Sequence, residues 1–120
     1  METPLRVLGN RGEDLAADFL RRRGFKIVAR QVHVGRLGEI DLICKHWGVL
    51  VFVEVKARTT ATYGTPEESV TSWKRERLRR AVFGYLARHR LADVNYRVDV
   101  VAVDLAGDKS VIRHHEGVEL

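Results

Sequence analysis

The sequence predicts an α/β fold: a mixed β-sheet flanked by helices, in the order helix, three strands, helix, strand, strand, within one domain spanning residues 1–120. Three observations predict it. The run Val49 to Val53 is apolar on both faces, as a central strand covered on both sides must be. Two helical stretches lie on either side of that region, one closing on Gly24 and one opening at Thr65-Pro66-Glu67-Glu68. A late stretch, Asn95 to Asp104, alternates as a strand does.

The first helix is expected over Arg11 to Arg23, capped by Gly9 or Asn10, with arginines in its last turn and Gly24 as its stop. Leu15, Ala16, Phe19 and Leu20 form its apolar face, and Glu13 sits at the edge of that stripe. Met1 to Leu8 carries no clear pattern and reads as a leader or an early helical turn. Phe25 to Arg30 reads as a short strand running into a polar, glycine-containing connection, Gln31 to Leu37.

Gly38 to Arg58 then reads as two strands with a break at Lys45 to Gly48. Cys44 alternates with Ile40 and Leu42 and is expected to be a buried apolar residue; a single cysteine excludes an internal disulfide. Thr59 to Gly64, with Tyr63, is a loop of small polar residues beside the end of the central strand, suited to be a substrate flap or a plain connection. The capping box at Thr65 to Glu68 starts a helix expected to reach about His89. Its stripe is Val70, Leu78, Ala81, Val82, Tyr85 and Leu86, with Trp73 on the flank and Arg75, Arg79 and Arg80 on the solvated side. Lys74 lies within the stripe's spacing, four residues from both Val70 and Leu78. In the late strand Asp99 reads as structural, pairing a basic residue. Ala106-Gly107-Asp108 turns into a last strand, Ser110 to His114.

The formal net charge is +5, from 21 Lys+Arg against 16 Asp+Glu, which suits a polyanionic partner. No stretch approaches the length of a membrane span and no signal-peptide core is evident, so a cytoplasmic protein without a membrane partner is expected.

The chemistry concentrates at the ends of the two central strands. Glu54 and Lys56 share one face of a strand, roughly 7 Å apart along it, and Glu39 and Asp41 share a face of the strand before. A tight turn at Trp47-Gly48 would set Asp41 opposite Glu54, at about 4.5–5.5 Å between Cβ atoms; a four-residue turn would set Glu39 there instead. Two carboxylates that close raise each other's pKa, and a divalent cation removes the conflict. Oxygen ligands with room for water favour Mg²⁺ or Mn²⁺ over zinc. The bland alternative is a salt-bridged sheet end, with Lys56 neutralising one carboxylate.

The order Asp41, twelve intervening residues, Glu54-Val55-Lys56 resembles the PD-(D/E)xK nuclease superfamily. The wider text, Gly38-Glu39-Ile40-Asp41-Leu42-Ile43 followed by Phe52-Val53-Glu54-Val55-Lys56, resembles the YraN family of endonuclease-like proteins, related in fold to archaeal Holliday-junction resolvases. The likeness runs from about Gly12 to about Val103. Ile40 stands where the superfamily's name has proline. The resemblance implies a restriction-endonuclease-like core and hydrolysis of nucleic-acid phosphodiesters, in structured or branched DNA. It implies Asp41, Glu54 and Lys56 as catalytic residues. It implies that Asp41 and Glu54, with a backbone carbonyl near Val55, hold the metal, and that Glu13, of the matching Gly12-Glu13 pair, supports it through water. Lys74 also matches a family lysine. Arg58, Lys74, Arg77 and Tyr63 are the candidates for substrate binding, and association into a homodimer stays open. The alternatives are a non-catalytic nucleic-acid-binding module and a scaffold of a DNA-repair or DNA-uptake complex.

Overall fold

A computed structural model describes residues 4–59 and 71–120. Among them the element order is α1 (Pro4–Arg22), β1 (Lys26–His33), β2 (Glu39–His46), β3 (Val49–Thr59), α2 (Ser72–Arg88), β4 (Tyr96–Ala106) and β5 (Lys109–His115). The mixed α/β arrangement expected from the sequence is present. The strands form one sheet in the order β1-β2-β3-β4-β5. Only β3 and β4 run parallel, joined across the segment that holds α2; the other neighbours are antiparallel.

The core has two halves, one on each face of the sheet, because alternate residues of a strand point to opposite faces. One gathers Ala16, Ala17 and Leu20 of α1 with Leu42, Cys44, Val51, Val53, Val101 and Val103. The other gathers Leu78, Ala81, Val82 and Leu86 of α2 with Ile43, Leu50, Phe52 and Val98. Val51, Phe52 and Val53 are fully buried, so β3 is the two-sided central strand its apolar run predicts. Cys44 is also fully buried, and that burial, ahead of the neighbouring Asp99 charge, pushes its thiol up to about 12. The thiol is inert at neutral pH.

Three boundaries differ from expectation. Helix α1 begins at Pro4 and absorbs Gly9 and Asn10 instead of starting at them. Packing favours the longer helix: Leu8, ahead of the expected start, is half-buried against the α1-side core. Farther along, at Gly12, the helix comes so near Ala57 of β3 that an added Cβ would collide with the Ala57 side chain. Its other end follows the sequence. The Gly24 N–H donates to the Arg21 carbonyl and the Phe25 N–H to that of Leu20, both at 3.0 Å, with Gly24 at φ +88. Strand β1 continues to His33 because Val32 and His33 pair with Ile40 and Glu39, despite Gln31 at φ 50. Helix α2 starts at Ser72 rather than near Pro66, since Thr71 is extended and its hydroxyl accepts the Lys74 N–H at 3.3 Å. The capping box at Thr65 to Glu68, Val70 and Tyr63 lie outside the described residues.

Candidate functional site

The β2–β3 hairpin decides the geometry. Trp47 and Gly48 both take positive φ, 52° and 76°, making the two-residue turn the sequence allows. His46 therefore pairs with Val49, and the ladder runs back to Leu42 opposite Val53. That register points Asp41 at Glu54 and excludes Glu39 from the place. The ladder stops there. The Val55 N–H donates to Asp41 Oδ2 at 2.8 Å, so the side chain of Asp41 ends the pairing and the two strands part around it. Gly38, at φ +144, lets β2 begin close to α2: a Cβ there would lie 3.5 Å from the Arg77 carbonyl.

Where the strands part there is a cleft of about 300 Å³ lined by Gly38, Glu39, Asp41, Glu54, Lys56, Trp73, Lys74, Arg77 and Leu78. The three residues named as catalytic thus share one cavity, and α2 supplies its opposite wall. Lys56 Nζ lies 3.1 Å from Glu54 Oε1, with the two side chains 21% and 16% exposed. Asp41 is half-buried. Burial first, and then the Glu54 charge, push its carboxyl up to about 8 against the pull of the Val55 N–H and Lys56. The pair of acids is in conflict, as two carboxylates around one sheet end must be.

The cations are in conflict too. The Lys74 ammonium is lowered from its ordinary pKa, chiefly by the charge of Lys56 and then by burial, with a smaller contribution from Arg58. Lys74 is exposed and lines the cleft beside Leu78. Arg77 stands beside it, its guanidinium 5.0 Å from the centre of the Trp73 ring.

Glu13 is placed differently. It is 6% exposed, and its carboxylate accepts from Arg30 Nε at 2.9 Å and from Gln31 Nε2 at 3.3 Å. It lines a second cavity, of about 380 Å³, that reaches Asp41 and Val55 from the α1 side. Its charge adds to the rise at Asp41, but its oxygens already have partners. Among the described residues no three His, Cys, Asp or Glu side chains stand close enough to hold a metal ion together. The acids that meet at the parting of the strands are Asp41 and Glu54, with Glu13 reaching Asp41 from the other cavity.

Two further residues line the cleft: Glu39, which the sequence offers only as the alternative partner of Glu54, and Trp73. Glu39 lines both cavities. Trp73 was placed only on a helix flank; the signal that could have found it is an indole set directly before Lys74 and Arg75 in a basic helix.

Asp99 behaves as the structural reading expects. It is fully buried, and although burial alone would raise its pKa, bonds from His114 (2.8 Å), Arg97 (3.0 Å) and the Gly117 N–H (3.0 Å) hold it below the ordinary range.

Residues 12–103 match the family model described as Uncharacterised protein family UPF0102. The chain belongs to that family. The span agrees with the YraN-type likeness, which runs from about Gly12 to about Val103. A UPF0102 protein of Symbiobacterium thermophilum is 50% identical over 103 residues, covering 86% of this chain and 86% of that one. Those of Geobacter sulfurreducens and Syntrophotalea carbinolica are 43% and 42% identical over 110 residues, covering 91% and 92% of this chain and 85% and 89% of theirs. Among the described residues of this UPF0102 chain, no helix is long and apolar enough to cross a membrane.

Proposed function

We propose that this UPF0102 chain is a metal-dependent nuclease of the PD-(D/E)xK superfamily, with a restriction-endonuclease-like core, hydrolysing phosphodiesters of DNA. What carries the reading is that Asp41, Glu54 and Lys56 line one cleft at the point where β2 and β3 part, with Asp41 held at about 8 by burial and by Glu54. An acid so disfavoured as an anion, beside a second acid, is a donor set that a divalent cation satisfies. Asp41 and Glu54 would hold Mg²⁺ or Mn²⁺; Glu13, already bonded to Arg30 and Gln31, would act on it only indirectly. A bound cation would supply Lewis-acid polarisation of the phosphoryl oxygens and would acidify water.

The chain's own residues do the rest. Lys56, held 3.1 Å from Glu54, is positioned to orient the attacking water and to offset charge growing on the phosphate. Lys56 and Lys74 repel each other, and an anion between them relieves that repulsion, which makes a phosphate the natural occupant of the cleft. Arg58 and Arg77 extend the positive rim toward the flanking backbone, contacts that position a strand without reading its bases.

The ion pair between Glu54 and Lys56 also favours a second reading, a non-catalytic nucleic-acid-binding or scaffold protein, because that pair leaves the sheet end partly neutralised without a cation. A cleavage panel of single-stranded, duplex, flap and four-way DNA with Mg²⁺ or Mn²⁺ separates them. The nuclease reading expects cutting of at least one substrate, stopped by EDTA and reduced about 10²–10⁴-fold in Lys56→Ala. Binding that persists without metal, with no cutting of any substrate, would leave the module.

A further inference from the structure

Trp73 belongs to neither half of the core. It is 66% exposed on the first turn of α2 while Leu78, Ala81, Val82 and Leu86 of the same helix are buried. Leaving most of an indole in water forgoes one of the largest apolar gains a side chain offers. Its surroundings are specific. It lines the same cleft as Lys56, Lys74 and Asp41, and the Arg77 guanidinium stands 5.0 Å over its ring. Thr71, accepting the Lys74 N–H, fixes where this first turn begins and hence where the ring stands. The chain's other tryptophan, Trp47, is 91% exposed but sits on the turn between β2 and β3, at the far end of those strands from Asp41.

An aromatic face next to paired lysines fits one kind of ligand well: a phosphate on the cations and a base on the ring. In a continuous duplex both faces of every internal base are covered by its neighbours, so only an unpaired or splayed base can stack on a side chain. We propose that Trp73, steadied by Arg77, is a stacking platform for an unpaired base next to the phosphate held by Lys56 and Lys74, and that the cleft therefore takes single-stranded stretches of nucleic acid, such as a tail or flap, in preference to continuous duplex. This rests on the reading of the cleft as a nucleic-acid site and adds the substrate class to it.

The test uses the full chain carrying Trp47→Phe, which leaves Trp73 as its sole tryptophan, with Ca²⁺ replacing Mg²⁺ so that binding is read apart from turnover. Fluorescence is followed on adding a twelve-nucleotide oligothymidylate or a blunt duplex, and affinities are read by anisotropy. The single strand is expected to quench Trp73 saturably and the duplex much less. Trp73→Ala should weaken single-strand binding roughly five- to hundredfold and leave duplex binding unchanged, while Trp73→Phe keeps most of it. Equal quenching by duplex, or unchanged single-strand affinity in Trp73→Ala, would overturn the platform. If Lys56→Ala still abolishes cleavage in that case, the platform falls and the nuclease reading stands. If neither nucleic acid binds the parent chain, both fall.

Discussion

Asp41 and Asp99 are both enclosed aspartates of the same sheet, and the protein treats them in opposite ways. Asp99 lies beside Val53 on the α1 face, where three donors converge on it and hold its carboxyl below the ordinary range. Asp41, at the parting of β2 and β3, receives one backbone N–H and faces the charge of Glu54, and its carboxyl rises to about 8. Burial acts in the same direction on both. What differs is the supply of donors. An acid whose oxygens are fully bonded from within is part of the scaffold; an acid left in conflict at a cleft is the candidate for an outside ligand.

The largest expected effect breaks the scaffold side of this comparison. Asp99→Ala leaves Arg97 and the buried His114 without their common partner and should cost about 3–5 kcal/mol near pH 7. Because the folded pKa of Asp99 is lowered, its contribution is present above the unfolded value of about 4 and is lost as pH falls below it. The difference between variant and parent in urea unfolding should therefore narrow below pH 4.

The sign reverses at Asp41. Its folded pKa is raised, so the folded state holds the proton more tightly than the unfolded chain does. Stability in the absence of metal is then undiminished below about pH 4, falls as pH rises through the interval up to about 8, and levels off above it. Asp41→Asn removes the penalty and keeps an oxygen for the Val55 N–H. At pH 8.5 it should unfold at higher urea than the parent, by an amount on the order of a few kcal/mol, with the two converging near pH 4. A variant less stable than the parent at pH 8.5 would show that Asp41 is a second scaffold acid.

A smaller effect tests the wall behind the site. Gly12→Ala drives a methyl group into Ala57, next to Lys56 in β3, and should cost about 1–3 kcal/mol by displacing α1. Calorimetric melting of the variant measures it.

The sequence leaves two hairpin registers open and the two-residue turn at Trp47-Gly48 chooses between them, whereas the meeting of Asp41, Glu54 and Lys56 at one sheet end was legible from strand alternation, a local rule. The stop of α1 at Gly24 was legible for the same reason. Its start was not: Gly9 and Asn10 favour a cap in isolation, and the packing of Leu8 against a core built largely from distant strands favours a helix that runs through them. The extension of β1 through Gln31 likewise depends on its partner strand. Glu13 reads as a supporting ligand only through the family resemblance of the Gly12-Glu13 pair; Arg30 and Gln31, which take its oxygens, come from β1, beyond the reach of helix spacing. Trp73 reads as a helix flank until the position of the first turn of α2 against the end of β3 is known.

The contrast between the two aspartates reduces to whether the Asp41–Glu54 pair takes a divalent cation. The most direct measurement is the melting temperature of the parent chain and of Asp41→Asn at pH 8.5 as Mg²⁺ is added. A cation held only by the folded state stabilises it by mass action, about 2.7 kcal/mol at a hundredfold excess over the dissociation constant. The parent should start below the variant and rise with Mg²⁺, while the variant rises little. If Asp41→Asn melts well below the parent without metal and Mg²⁺ moves neither curve, the pair is a salt-bridged sheet end and the cleft is not a metal site.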